Sequence, residues 1–360
     1  MKKHLAALLL AFLAGPALAQ QSVPQIKFTS VPNFPDLPNG QNFGEVAGVA
    51  TNSKGNVFVF TRSTPEIAGP VFGQAAAQLY EFDASGKFIR EIGKGLYGFA
   101  AAHSVRIDKA DNIWTIDKGS NMIVQFSPAG RVMTVYGRRQ EGVAEVEGGG
   151  GPKPKPGEHL PAVEGNFRLP TDIAWDSKGN SYITDGYVNA RVAKFDKNGD
   201  FVKMWGDHGT GDGQFRTPHA IAIDKNDNVY VGDRGNQRVQ VFDVDGKFLR
   251  KFSVTVPPDP TSRSVNGNTP KGEAINQGVG APNSLCIPPD NDKVLFLGES
   301  TWPGRIFKLT TDGKVLGVIG RSGRQLGSFS GGHQLACPSE YLIYVAETSN
   351  WRVQKLILQK

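Results

Sequence analysis

The chain reads as all-β, a six-bladed β-propeller. Three observations predict it. One unit of short apolar strands and turns recurs six times along the chain. Glycine is abundant, 44 of 360 residues beside 23 prolines, as tight turns require. Each unit carries four short strands, which cannot bury both faces alone and do so when repeated around a ring.

The clearest copies span 171–206 (TDIAWDSKGNSYITDGYVNARVAKFDKNGDFVKMWG), 219–252 and 103–137. Weaker copies begin near Ala47, Asn283 and His333. A copy opens with a short apolar strand, turns on Gly or Asp followed by Asn, and continues into a strand ending in an acid. Asn-x-Arg-Val, a third strand, Asp-x-x-Gly-Lys-Phe and a last strand complete it. The sixth copy stops after its third strand, at Leu356-Ile357-Leu358. Residues 24–32, PQIKFTSVP, are therefore predicted to supply the missing strand and close the ring. Segments 141–166 and 253–280 fit no copy and read as long loops on the propeller faces, so 20–360 is expected to be one domain.

The first 19 residues read as a signal peptide: Lys2 and Lys3, an apolar run Leu5–Leu13 too short to span a bilayer, and the cleavage motif Ala17-Leu18-Ala19. A periplasmic or secreted location is expected. The formal charge of +6 falls to +4 once Lys2 and Lys3 are removed. Cations and acids are interspersed, with no basic run holding aromatics, which argues against nucleic acid as partner. A closed ring leaves few open edges, so a monomer is expected. Cys286 and Cys337 match no zinc or redox spacing. Export permits a bridge between them, but two small buried residues is the reading preferred.

Of the six histidines, His103, His219 and His333 take the same position in copies two, four and six: the first residue of the first strand. Copies one, three and five carry Ala47, Thr171 and Asn283 there. First strands of propeller blades line the central channel. Alternate blades of six are a third of a turn apart, so the three imidazoles should converge on the axis. Three neutral imidazoles with an open fourth position make a catalytic-zinc arrangement. His4, His159 and His208 lie outside this register and are read as non-ligands.

Asp-x-x-Gly-Asn and Asn-x-Arg-Val resemble NHL repeats. Over most of 45–358 the chain more sharply resembles peptidyl-α-hydroxyglycine α-amidating lyase, in VAGVATNSKGNVFVFTR, AAHSVRID, RLPTDIAWD, ITDGYVNARV, GQFRTPHAIAID, VGDRGNQRVQVF and the segment at His333. The resemblance implies a six-bladed propeller with one channel zinc on three histidines, a structural calcium nearby, and cleavage of a carbinolamide to an amide and glyoxylate. It places His103, His219 and His333 on the zinc, Tyr187 as catalytic base, and Arg62 and Arg234 on the substrate carboxylate. It places Val49 and Val105 where backbone carbonyls reach calcium. An arginine fork suits a carboxylate, and a tyrosine among cations suits proton abstraction.

The chain also departs from that pattern. Gln334 stands where an aspartate would bind calcium; its amide oxygen can ligate but lacks the charge, so affinity should fall. Gly331 and Gly332 replace an apolar residue and proline. Val188, Tyr230 and Val241 stand at the family's disulfide positions, so stability is expected to come from blade packing. No segment resembles the monooxygenase that makes the lyase substrate in animals. Two other functions fit an exported propeller: a non-catalytic NHL scaffold binding a peptide, glycan or protein, and a gluconolactonase-like calcium hydrolase. The latter expects carboxylate and Asn ligands, whereas imidazoles suit zinc better. The acids Asp117, Asp185, Asp233, Glu299 and Glu347 do not discriminate, since they can simply organise blades.

Overall fold

The computed structural model describes residues 23–62, 77–139, 162–265, 278–300 and 302–360. The expected signal peptide, with His4, lies outside the described residues, as do His159 and parts of both long loops. Among the described residues, apart from one 3-10 turn, Arg234–Asn236, every regular element is a strand.

Blade 1 is Glu45–Thr51, Val57–Arg62, Gln78–Phe82 and Phe88–Ile92. Blade 2 is Ala102–Ile107, Ile113–Asp117, Met122–Phe126 and Val132–Tyr136. Blade 3 is Asp172–Trp175, Ser181–Asp185, Arg191–Phe195 and Phe201–Trp205. Blade 4 is Pro218–Ile223, Val229–Asp233, Arg238–Phe242 and Phe248–Phe252. Blade 5 is Pro282–Cys286, Val294–Glu299, Ile306–Thr310 and Val315–Ile319. Blade 6 is Gly332–Ser339, Leu342–Glu347 and Arg352–Leu358, with Phe28–Ser30 as its outer strand. The six first strands touch one another in cyclic order and line the channel.

The predicted closure is present. Phe28, Thr29 and Ser30 pair antiparallel with Leu358, Ile357 and Leu356. The N-terminal segment also reaches blade 5, where Ile26 N donates to Val318 O at 2.8 Å. An edge strand is thereby covered by chain from the other end of the sequence.

The recurring motifs have local causes. In Asp-x-x-Asp/Gly-Asn, the Asp108 carboxylate accepts the Ala110 and Asn112 amides at 2.9 and 3.0 Å, and Asp111 takes a left-handed φ of 61°. Asp176 and Asp224 repeat the arrangement. Such an Asx turn mimics a backbone turn and tolerates the left-handed residue. The acid ending the second strand is buried and holds the blade corner. Asp185 accepts from Asn189 Nδ2 (2.6 Å), Arg191 Nε (3.1 Å) and Arg168 N (2.9 Å). Asp233 does so from Asn236, Arg238 and Arg216 N, and Glu347 from Asn350, Arg352 and Ser330 N. Asn-x-Arg is thus the partner set of the preceding acid. These carboxylates are occupied structurally, as a buried charge requires.

The core is divided by seams. Six apolar clusters each lie between two neighbouring blades, such as Phe60, Phe99 and Phe126 between blades 1 and 2. Each fully buried side chain of that size contributes roughly 1.5–3 kcal/mol. Parts of the second long loop join in: Val254 and Val256 are buried against the seam of blades 4 and 5. Among the described residues no helix is long and apolar enough to cross a membrane.

One expectation is corrected. Cys286 and Cys337 are not two separate buried thiols; they are disulfide-bonded, at a sequence separation of 51. The bridge joins the first strands of blades 5 and 6, neighbours at the channel. Blade packing is therefore supplemented by a covalent tie. For a loop of this length the chain-entropy account gives about 4 kcal/mol. Reduction, or Cys286→Ser/Cys337→Ser, is expected to lower Tm by several degrees, measured by calorimetry. An unchanged Tm with both thiols titrating as free would reject a stabilising role for the bridge.

Candidate metal centre

His103, His219 and His333 meet in the channel. Their ring centroids are 4.7, 4.6 and 5.1 Å apart, and one ligand nitrogen from each lies within 4.8 Å of the others. No other group of three His, Cys, Asp or Glu among the described residues gathers in this way. His208 stays away and bonds Val188 O at 2.8 Å.

Each imidazole is oriented by the next blade. His103 Nδ1 lies 2.6 Å from Thr171 O, His219 Nδ1 2.7 Å from Asn283 O, and His333 Nδ1 2.8 Å from Ala47 O. A carbonyl only accepts, so each Nδ1 carries the proton and each Nε2 keeps its lone pair. The three carbonyls belong to the residues that stand at the histidine position in the odd copies. This fixes tautomer and ring plane as outer-shell partners do in metal sites. The even blades supply the imidazoles and the odd blades supply the carbonyls that orient them, from Ala47, Thr171 and Asn283.

A backbone irregularity aims the rings. The strand pairing shifts register between Ala102 and Ser104, between Pro218 and Ala220, and between Gly332 and Gln334. Each histidine is the extra residue of a β-bulge, a device that re-aims one side chain. Burial holds all three histidines well below the usual imidazole range. For His103 the neighbouring His333 and His219 add to burial; for His219 Arg234 does, and for His333 Arg62. The donor set is therefore three neutral imidazoles with converging lone pairs, which fits a zinc ion with an open position.

The other predicted residues surround this centre. The Tyr187 hydroxyl lies 3.1 Å from His219 Nε2 and 3.3 Å from His103 Nε2. Arg234, almost fully buried, stacks its guanidinium 5.3 Å from the Tyr187 ring centre. Its Nη1 donates to Asn283 Oδ1 at 2.9 Å, while its Nε is buried with no hydrogen-bond partner. Arg62 donates through Nε to Ala102 O (2.7 Å) and through Nη1 to Glu45 (2.7 Å).

Lys118 was missed from the sequence. Its Nζ lies 5.1 Å from the Tyr187 ring centre, and the ammonium is held below its ordinary range, first by burial. Among the described residues it has no ion pair with a carboxylate. The signal was present: Lys118 follows Asp117 as Arg234 follows Asp233, at the strand end that in blade 1 is Arg62. Three cations thus stand at one register above the histidines, with Tyr187 one residue beyond the equivalent Gly186 of blade 3.

Val49, Val105 and Gln334 also meet, though through amides. Val49 N and Val105 N both donate to Gln334 Oε1, at 2.9 and 3.1 Å.

Fold and site together describe a six-bladed NHL-type propeller with a tri-histidine channel centre. Residues 215–242 match the NHL repeat family. The particular likeness is to the amidating lyases. The chain is 29% identical over 231 residues to a peptidylglycine alpha-amidating monooxygenase of Rattus norvegicus, covering 58% of this chain and 22% of that protein. It is 29% identical over 222 residues to a probable peptidyl-alpha-hydroxyglycine alpha-amidating lyase of Caenorhabditis elegans, covering 56% of each. The chain thus spans about a fifth of the length of the rat relative. A solved streptogramin B lyase matches at a TM-score of 0.56 and 13% identity over 93% of this chain and 97% of that one, a likeness of fold.

Proposed function

We propose that the chain is an exported zinc-dependent lyase that cleaves peptidyl-α-hydroxyglycine-like carbinolamides to an amide and glyoxylate. The observation that carries this reading is the convergence of three neutral histidines beneath a tyrosine hydroxyl clamped by Arg234 and Lys118. His103, His219 and His333 would hold zinc, whose Lewis acidity would favour loss of the substrate hydroxyl proton.

The chain's own groups account for the rest. Arg234 offers an unpartnered Nε toward the substrate carboxylate, with Arg62 and Lys118 adding positive charge on the same rim. Tyr187, acting as its phenolate, takes the proton of the carbinol hydroxyl and passes it to the departing nitrogen. The oxygen electrons form the aldehyde C=O as the C–N bond breaks. Its electron pair stays on nitrogen, which is protonated to the amide. No water is consumed, so the proton lost from oxygen balances the one gained by nitrogen.

Glyoxylate release from an α-hydroxyglycine peptide by the zinc-loaded protein tests the reaction. Zinc bound in stoichiometric amount with no glyoxylate formed would overturn the substrate assignment and leave the metal site standing. Export follows the reading of residues 1–19; protein retained in the cytoplasm of a bacterial host with its N-terminus uncleaved would reject it.

A further inference from the structure

One layer below the histidines, the channel holds a second polar cluster, and its chemistry disagrees with the calcium that the lyase resemblance implies. Arg106 forms a two-pronged ion pair with Asp172: Nε to Oδ1 at 2.9 Å and Nη2 to Oδ2 at 2.6 Å. The same guanidinium reaches across the channel, through Nη1 to Leu335 O (3.2 Å) and Nη2 to Leu285 O (3.3 Å). One side chain from blade 2 therefore ties to blades 3, 5 and 6. Both members are largely buried, at 14% and 4% side-chain exposure.

Gln334 completes the layer. Two peptide N–H groups, of Val49 and Val105, converge on its side-chain oxygen. That pair of donors fixes the amide orientation, because an NH₂ cannot accept. What Gln334 turns toward the remaining space is Nε2, buried without a partner, as are the hydroxyls of Ser104 and Ser284 beside it. Gly48 makes the arrangement possible: a Cβ there would stand 2.9 Å from Gln334 Oε1 and 2.8 Å from Val105 N. The space left, about 10 Å³ between the histidines and these residues, suits a single water.

Calcium takes six to eight oxygens, carboxylates among them. Here the carboxylate at the site, Asp172, is committed to a guanidinium. Two channel carbonyls are committed to the same group. The Gln334 oxygen is saturated by N–H donors, and the atom it offers instead is a donor. A fixed positive charge already stands where a cation would bind. We infer that Arg106 is the resident cation of the channel core, occupying the role of a structural calcium, so the protein needs no calcium at this layer. The inference rests on this layer alone and is independent of the proposed lyase reaction.

The test uses the mature wild-type protein. It is incubated in about 5 mM calcium chloride, freed of excess ion, and examined by elemental mass spectrometry and by thermal denaturation with calcium or with a calcium chelator. Less than about 0.1 calcium per chain and an unchanged Tm are expected, because an ion that does not bind the native state cannot stabilise it. About one retained calcium per chain, with a Tm raised by several degrees, would overturn the inference. In Arg106→Met/Gln334→Asp the resident cation is removed and a carboxylate restored. That variant is expected to gain a calcium-dependent rise in Tm, which would locate the exchange at this layer.

Discussion

Replacing His103 and His219 by alanine is expected to abolish zinc binding. The unaltered protein should hold about one zinc per chain after zinc is offered and excess removed, and the double variant almost none, read by elemental mass spectrometry. The reason is geometric. Three Nε2 lone pairs converge because three Nδ1–H groups are held by backbone carbonyls of the neighbouring blades. Two truncations leave a single imidazole, which cannot hold zinc at micromolar concentration. The variants also orphan Thr171 O and Asn283 O, costing on the order of 1–3 kcal/mol each, so Tm should be measured beside metal content. The seams on either side are untouched, and the folded propeller should persist. Absence of any transition metal from the unaltered protein would reduce the histidines to repeat ancestry and leave a binding scaffold.

Tyr187→Phe is expected to lower kcat by about 10²- to 10⁴-fold with zinc content unchanged, the range for loss of a positioned acid–base group. The substitution keeps the ring between Lys118 and Arg234 and removes only the hydroxyl near the two histidine nitrogens. A rate within about threefold of the original would make Tyr187 a packing residue and sink its role as base. Arg234→Met and Lys118→Met separate binding from proton transfer. A charged hydrogen bond to a carboxylate is worth about 1.5–3 kcal/mol, so each should raise KM or lower kcat/KM by about 10- to 100-fold. Lys118 is the more informative of the two, because its partner among the described residues is the aromatic ring and not an acid. If it contacts only Tyr187, its loss should reach kcat and leave KM unmoved.

The legible and illegible parts of the site differ in kind. The histidines were legible because a repeat register carries a side chain to the same height in every blade. Tyr187, Arg62 and Arg234 came from resemblance, and the structure brings all three around the histidines. Lys118 became obvious only when residues after the second-strand acids were compared across copies. The carbonyls of Ala47, Thr171 and Asn283 left no trace, since every residue type has a carbonyl. By position alone Gln334 reads as a weak calcium ligand. Its oxygen instead receives two amides from blades 1 and 2, contacts between residues 285 and 229 positions apart.

The disulfide makes the same point through covalent chemistry. The repeat makes the strands of Cys286 and Cys337 neighbours, but that their two sulfurs meet is a matter of side-chain placement between blades 5 and 6. The sequence by itself determined the repeat, the number of blades, the turn chemistry and which residues stand at each strand's entrance. All of these are local properties of alternation and backbone turn preference. Which atoms meet on the axis was settled in three dimensions: the carbonyl that holds each imidazole and the arginine that crosses the channel. Those meetings depend on the summed rotation and tilt of successive blades, a quantity spread over the whole chain and carried by no single segment of it.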